Sequence, residues 1–190
     1  MRSNSWTFEP ARDCELRRCG VPIREAVSDV GIGMIGGYVG TKVMEQVSMT
    51  LYELEPEEDR RREEEVRPGP PYEIAAKKTT ETLGIELSEE QLRKVATYGF
   101  HYGLGMGWGP TYTLLRRWTN LNPVSAGLLS GAAMSLLVDE GMTPLLGFSA
   151  PNRAYPLSTH LRGFAAHLAF GLGVAATVET LYWLGRGGAR

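Results

Sequence analysis

The chain has 190 residues, 43% of them hydrophobic, enough for one domain with a sizeable core. Its 20 basic and 22 acidic residues nearly cancel to a formal charge of -2, which leaves no global field to draw nucleic acid. The 23 glycines are too many for a typical domain of this size and cluster in apolar stretches rather than in turns, the composition of closely packed helices.

Residues 1–29 read as a charged N-terminal segment, with Arg2, Arg12, Arg17, Arg18 and Arg24 against a few acids and a short helix at its end. The segment has no apolar h-region, so any membrane insertion is expected from internal stretches. Cys14 and Cys19 lack CxxC spacing and a second ligand pair, and read as two ordinary thiols. From Val30 to Leu54 the chain turns apolar and is long enough to cross a hydrocarbon layer of roughly 30 Å. Lys42 and Glu45 interrupt it, but Gly33, Gly37, Thr41 and Glu45 step by four and so share a helix face.

Residues 55–94 form a polar arm. Its charge run, EPEEDRRREEEVRPGPP, is expected to extend the first helix a few turns into water until the prolines stop it. A short helix from Tyr72 to Leu83 follows, ended by Gly84, and Ser88 with Gln91 makes a capping box for the next. That next helix runs uncharged from Val95 to Leu115, with His101, Gly105, Gly109 and Tyr112 on one face and Gly99, Gly103 and Gly107 in an adjoining groove. Pro110 should kink it, and Arg116, Arg117 and Trp118 read as an interfacial anchor. In the third apolar stretch Gly127, Gly131, Ser135 and Asp139 again step by four. SAPNRAYPLST is a Pro-rich turn or re-entrant loop. The last stretch, His160 to Leu184, carries Gly163, His167, Gly171, Ala175 and Glu179 on one face.

These elements predict an all-α polytopic membrane protein: a domain over residues 30–190 with four packed transmembrane helices and the polar helical arm between helices 1 and 2. The arginines of the N-terminal segment, Arg116, Arg117, Arg186 and Arg190 fall on one side, which places both termini in the cytoplasm. Lipid is the expected partner, with a homo-oligomer or a larger membrane complex beyond it, and no nucleic acid. The mean hydropathy of -0.19 is low for four spans, and the arm and tail account for much of that.

Each expected span carries an ionisable residue on its small-residue face: Glu45, His101, Asp139 and His167. Counting residues from each helix start puts all four at similar depth, nearer the non-cytoplasmic side. Ionisable groups are costly in hydrocarbon and are kept paired or beside water. Two imidazoles and two carboxylates suit a divalent transition metal. They suit equally a proton-sharing cluster, or hydrogen bonds that only fix helix register. Lys42, Glu140 and Glu179 are second-tier candidates, with Lys42 pairing with a carboxylate such as Glu179. No catalytic signature of a soluble enzyme is present: no GxSxG, no HExxH and no P-loop, and GLGMGWG follows no strand. The residues point away from an enzyme.

The third and fourth stretches, GLLSGAAMSLLVDEGMTPLLGFSAP and HLRGFAAHLAFGLGVAATVE, resemble the YagU-like family of uncharacterised bacterial inner-membrane proteins. GMIGGYVGTKVMEQVSMTLYE and HYGLGMGWGPTY are similar to it as well, so the likeness covers about residues 30–184. It implies a multi-pass inner-membrane protein connected with acid resistance, and it carries His167 best and His101 next. Asp139 departs from the histidine that the family pattern leads one to expect near that point.

Overall fold

A computed structural model of the chain describes residues 23–187. Cys14, Cys19 and the arginines at 2, 12, 17, 18 and 190 lie outside the described residues. Those that are described form helices joined by short links, with no strand among them.

Four long rods run antiparallel. The first is α1, Ile23–Leu54. The second is assembled from α4 (Glu89–Lys94), a π-helical segment (Val95–Tyr102), α5 (Gly103–Trp108) and α6 (Pro110–Trp118). The third joins α7 (Pro123–Met134), a second π segment (Ser135–Met142) and α8 (Thr143–Leu145). The fourth is α9, Leu157–Gly187. Two shorter helices, α2 (Glu57–Val66) and α3 (Pro71–Thr82), make up most of the arm between the first two rods.

The four-residue stripes are the seams of this bundle. The first zips to the second: a Cβ on Gly37 would fall on the Gly105 carbonyl, and one on Gly33 would sit 2.8 Å from the Pro110 Cα. The third zips to the fourth, with Gly127 against Gly171 and Gly131 against the His167 carbonyl. Only residues without a side chain let backbones approach so closely. Between the seams Tyr112, Phe170, Val174 and Val178 are fully buried and fill the centre. Trp108 Nε1 donates to the Ser130 carbonyl at 3.0 Å and ties the second rod to the third. The second groove expected on the second rod is not a seam: Gly107 has nothing around it, and Gly99 and Gly103 meet only their own helix.

Local chemistry sets several boundaries as expected. Ser88 and Gln91 form the capping box, Gln91 N–H donating to Ser88 Oγ at 3.3 Å and Ser88 N–H to Gln91 Oε1 at 2.9 Å. Gly84 leaves α3 at φ +65°, a left-handed conformation that favours glycine. Two boundaries differ from expectation. The first rod does not begin at Val30: α1 already includes Asp29, which is buried against Arg117 and Tyr182. The charge run does not prolong α1 into water either. Pro56 disfavours helix at Glu55, the chain bends there, and α2 starts anew and lies against α9.

By length and composition one described helix, Leu157–Gly185, is apolar enough to cross a membrane. The other rods fall short of that measure for visible reasons. Lys42 and Glu45 sit inside the first, Gly109–Pro110 breaks the second, and Asp139 and Glu140 charge the third.

Candidate functional site

Ionisable side chains gather in two places near the arm. The first is built on Glu45, one turn beyond Thr41 on the α1 stripe. His101 Nε2 lies 2.9 Å from Glu45 Oε1, and Tyr102 donates its hydroxyl to the same oxygen at 2.8 Å. Lys42 Nζ reaches Oε2 at 3.1 Å and also donates to the Tyr102 hydroxyl. Consecutive residues on an α-helix point well apart, and the wider turn of the first π segment is what lets His101 and Tyr102 converge on one carboxylate. Tyr72 of α3 closes the group from outside, its ring 4.8 Å from that of His101. Burial is the main cause that pushes the Tyr72 hydroxyl above its usual pKa, with the negative charge of Glu73 adding to it.

The second gathering lies between the second π segment, the Pro-rich loop and α9. His160 Nδ1 is 2.7 Å from Glu140 Oε1, and its Nε2 is 3.0 Å from the Asn152 carbonyl. The Asn152 side chain in turn donates to the Glu140 carbonyl at 2.8 Å. Asp139 stands within electrostatic reach of His167, Glu140 and His160, and a Cβ on Gly163 would come 3.4 Å from its Oδ2. His167 Nδ1 is 2.8 Å from the carbonyl of Gly163, one turn back on its own helix, which makes Nδ1 the protonated nitrogen. A polar cavity of about 120 Å³ opens here, bounded by Asp139, Glu140, Asn152, Tyr155 and His160 on one side and by Glu63 and Arg67 on the other.

Beside the cavity Arg162 clamps the arm. Its guanidinium meets Glu55 at 2.6 Å and both oxygens of Glu63 at 2.8 and 2.7 Å, while Thr159 donates to Glu63 and Ser158 to Asp59. Glu55 is pushed above the usual carboxylate range, chiefly by burial. Arg162 opposes that shift, and Glu63 and Asp59 add to it.

The four first-tier residues therefore do not form one cluster. Glu45 joins His101 on the α1 side, and Asp139 faces His167 on the α9 side. Among the described residues no group of three or more His, Cys, Asp and Glu side chains is placed to hold a metal ion. Lys42 pairs with Glu45 rather than with Glu179. Glu179 sits at the far end of the bundle, held by Arg116 at 2.9 Å and by the Tyr112 hydroxyl at 2.8 Å. Glu140 pairs with His160. Neither His160 nor Tyr102, Tyr72 and Arg162 stood out in the sequence; the one signal for Arg162 is a lone arginine inside an otherwise apolar run.

Comparisons with protein-family models, curated proteins and solved structures find no match to this chain. The chemistry open to the site is that of its own side chains. Glu45 accepts from a phenol, faces an imidazole and pairs with an ammonium within one hydrogen-bonded group, so a proton can pass among neighbours without rearranging the backbone. Asp139 and Glu140 stand beside two histidines at a cavity with room for several waters.

Proposed function

We propose that this is a multi-pass inner-membrane protein whose His–carboxylate groups handle protons or a small solute, in keeping with the YagU-like resemblance and the acid stress it implies. One observation carries the membrane half of this reading: large apolar side chains face outward from a bundle whose helix seams are small or polar. Its backbone contacts are made by glycine, and Thr41, Thr113, Ser130 and Ser135 are fully buried. Large apolar side chains from all four rods face outward, among them Ile35, Leu104, Leu129, Leu136, Leu137 and Leu172. Water rejects such a surface, whereas lipid solvates it, and small residues at helix contacts are how helices associate where no hydrophobic force drives them together. With both termini taken as cytoplasmic, the up-and-down order of the rods puts the arm and both His–carboxylate groups on the opposite side.

The proton half rests on Glu45 and His101, whose pairing keeps charge stable inside a bundle of low dielectric. In proteoliposomes carrying a pH gradient, the wild-type chain should dissipate the gradient faster than empty vesicles. Glu45→Gln and His167→Ala should each slow that dissipation at least about tenfold, the scale of losing one positioned proton carrier. Equal rates for wild type and both variants would remove the proton reading. A second reading, a subunit of a larger membrane complex, is favoured by Gly99, Gly103 and Gly107, which open outward with no neighbouring helix. Purification in mild detergent that yields a bare monomer counts against it.

A further inference from the structure

The Pro-rich loop after α8 is fastened in two ways. At its start Lys78 of α3 donates to the carbonyls of Leu146 at 3.3 Å and Gly147 at 2.8 Å. Further on, among the described residues, Asn152 makes the hydrogen bonds that cross to the π segment and α9, beside the edge-on contact of Tyr155 with His160: its side chain grips the Glu140 carbonyl and its carbonyl faces His160 Nε2. His160 thus stands between two acceptors, a carboxylate at Nδ1 and a backbone carbonyl at Nε2. A neutral imidazole has one N–H and can satisfy only one of them. Both contacts are made when His160 and Glu140 together hold one extra proton, either as imidazolium and carboxylate or as imidazole and carboxylic acid.

We propose that His160, Glu140 and Asn152 form a proton-operated latch that holds the loop over the polar cavity and releases it when the shared proton is lost. Removing that proton leaves a lone pair on one ring nitrogen facing an oxygen lone pair, so either Glu140 or Asn152 is let go. The proton is bound by the closed form, so low pH keeps the latch shut and rising pH opens it. The groups that face His160 are Glu140 and Asp139 from the second π segment, Tyr155 edge-on from the loop with ring centroids 6.3 Å apart, and Glu63 and Arg67 across the cavity. Arg162 and His167 lie on its own helix. Lys78 holds the loop start through Leu146 and Gly147 and takes no part in the latch, so release is confined to the part of the loop beyond Phe148.

A nitroxide at Arg153→Cys, in the full chain with Cys14→Ser and Cys19→Ser and in detergent, reads the motion. The mobile component of its spectrum should grow at least about threefold between about pH 4 and about pH 9, which bracket the ordinary ranges of carboxylates and histidine. Two variants should both lose the pH response. His160→Gln takes up no proton, and its spectrum should be flat with pH. Glu140→Gln offers an amide N–H to a neutral imidazole, which frees the ring to donate to Asn152, so the loop should stay immobile throughout. A pH-independent wild-type spectrum overturns the latch, as does a wild-type titration in either variant. If His160→Gln does not fold, Glu140→Gln decides alone. No gradient or flux enters this readout, so its failure is separate from failure of proton transport.

Discussion

Arg162 is the residue on which the arm depends. It is nearly buried, as are Glu55 and Glu63, and it lies between their carboxylates. Taking it away removes the ion-pair partner of the buried Glu55 and leaves Glu63 to Arg67 at 3.5 Å and the Thr159 hydroxyl, so Arg162→Ala should cost about 3 to 5 kcal/mol, read as a lowered unfolding midpoint in detergent. Glu55 acts in the reverse sense. Its raised carboxyl favours the protonated form in the fold, so its contribution is present below the ordinary glutamate value of about 4.3 and is lost as pH rises through the raised one. Its Oε1 is buried without a hydrogen-bond partner, and that is the atom an amide nitrogen would replace. Glu55→Gln should therefore raise the unfolding midpoint above that window and leave it unchanged below. A midpoint that falls at every pH would show that the Arg162 charge pair outweighs desolvation. None of this clamp was legible in the sequence, because EPEEDRRREEEV has the composition of a solvated helix and the partner of Glu63 lies 99 residues away.

Among the elements, the seams were the most readable part. Close backbone approach needs a missing side chain once per turn on one face, and that requirement writes itself into the chain as Gly33, Gly37 and Thr41 or Gly127, Gly131 and Ser135. The contrast between a seam glycine and an outward one is a direct test. Gly131→Leu drives a side chain into the His167 backbone and should destabilise by about 1 to 3 kcal/mol or more. Gly107→Ala meets open space and should be neutral or stabilising by up to about 1 kcal/mol through helix propensity. Thermal unfolding of the two variants side by side checks both. The π segments were not readable, since a wider turn leaves no composition of its own. They nonetheless decide the site: His101 with Tyr102 lies on one and Asp139 with Glu140 on the other. Counting residues on an ideal helix gave the right rods and the right faces, yet it merged four residues that the fold keeps as two groups.

For the molecule as a whole, the distribution of polarity organises everything else. Small or polar residues at the seams and large apolar side chains on the outside are what the proposed lipid-facing bundle requires, and among the described residues the buried carboxylates Asp29, Glu55 and Glu63 are each met by an arginine. The proposed proton transport presupposes a bundle that lipid surrounds along its length. Alkaline carbonate washing of membranes from cells that express the full chain tests this claim most directly. The account predicts that the protein stays in the pellet and is released only by detergent. Recovery in the carbonate supernatant would contradict it.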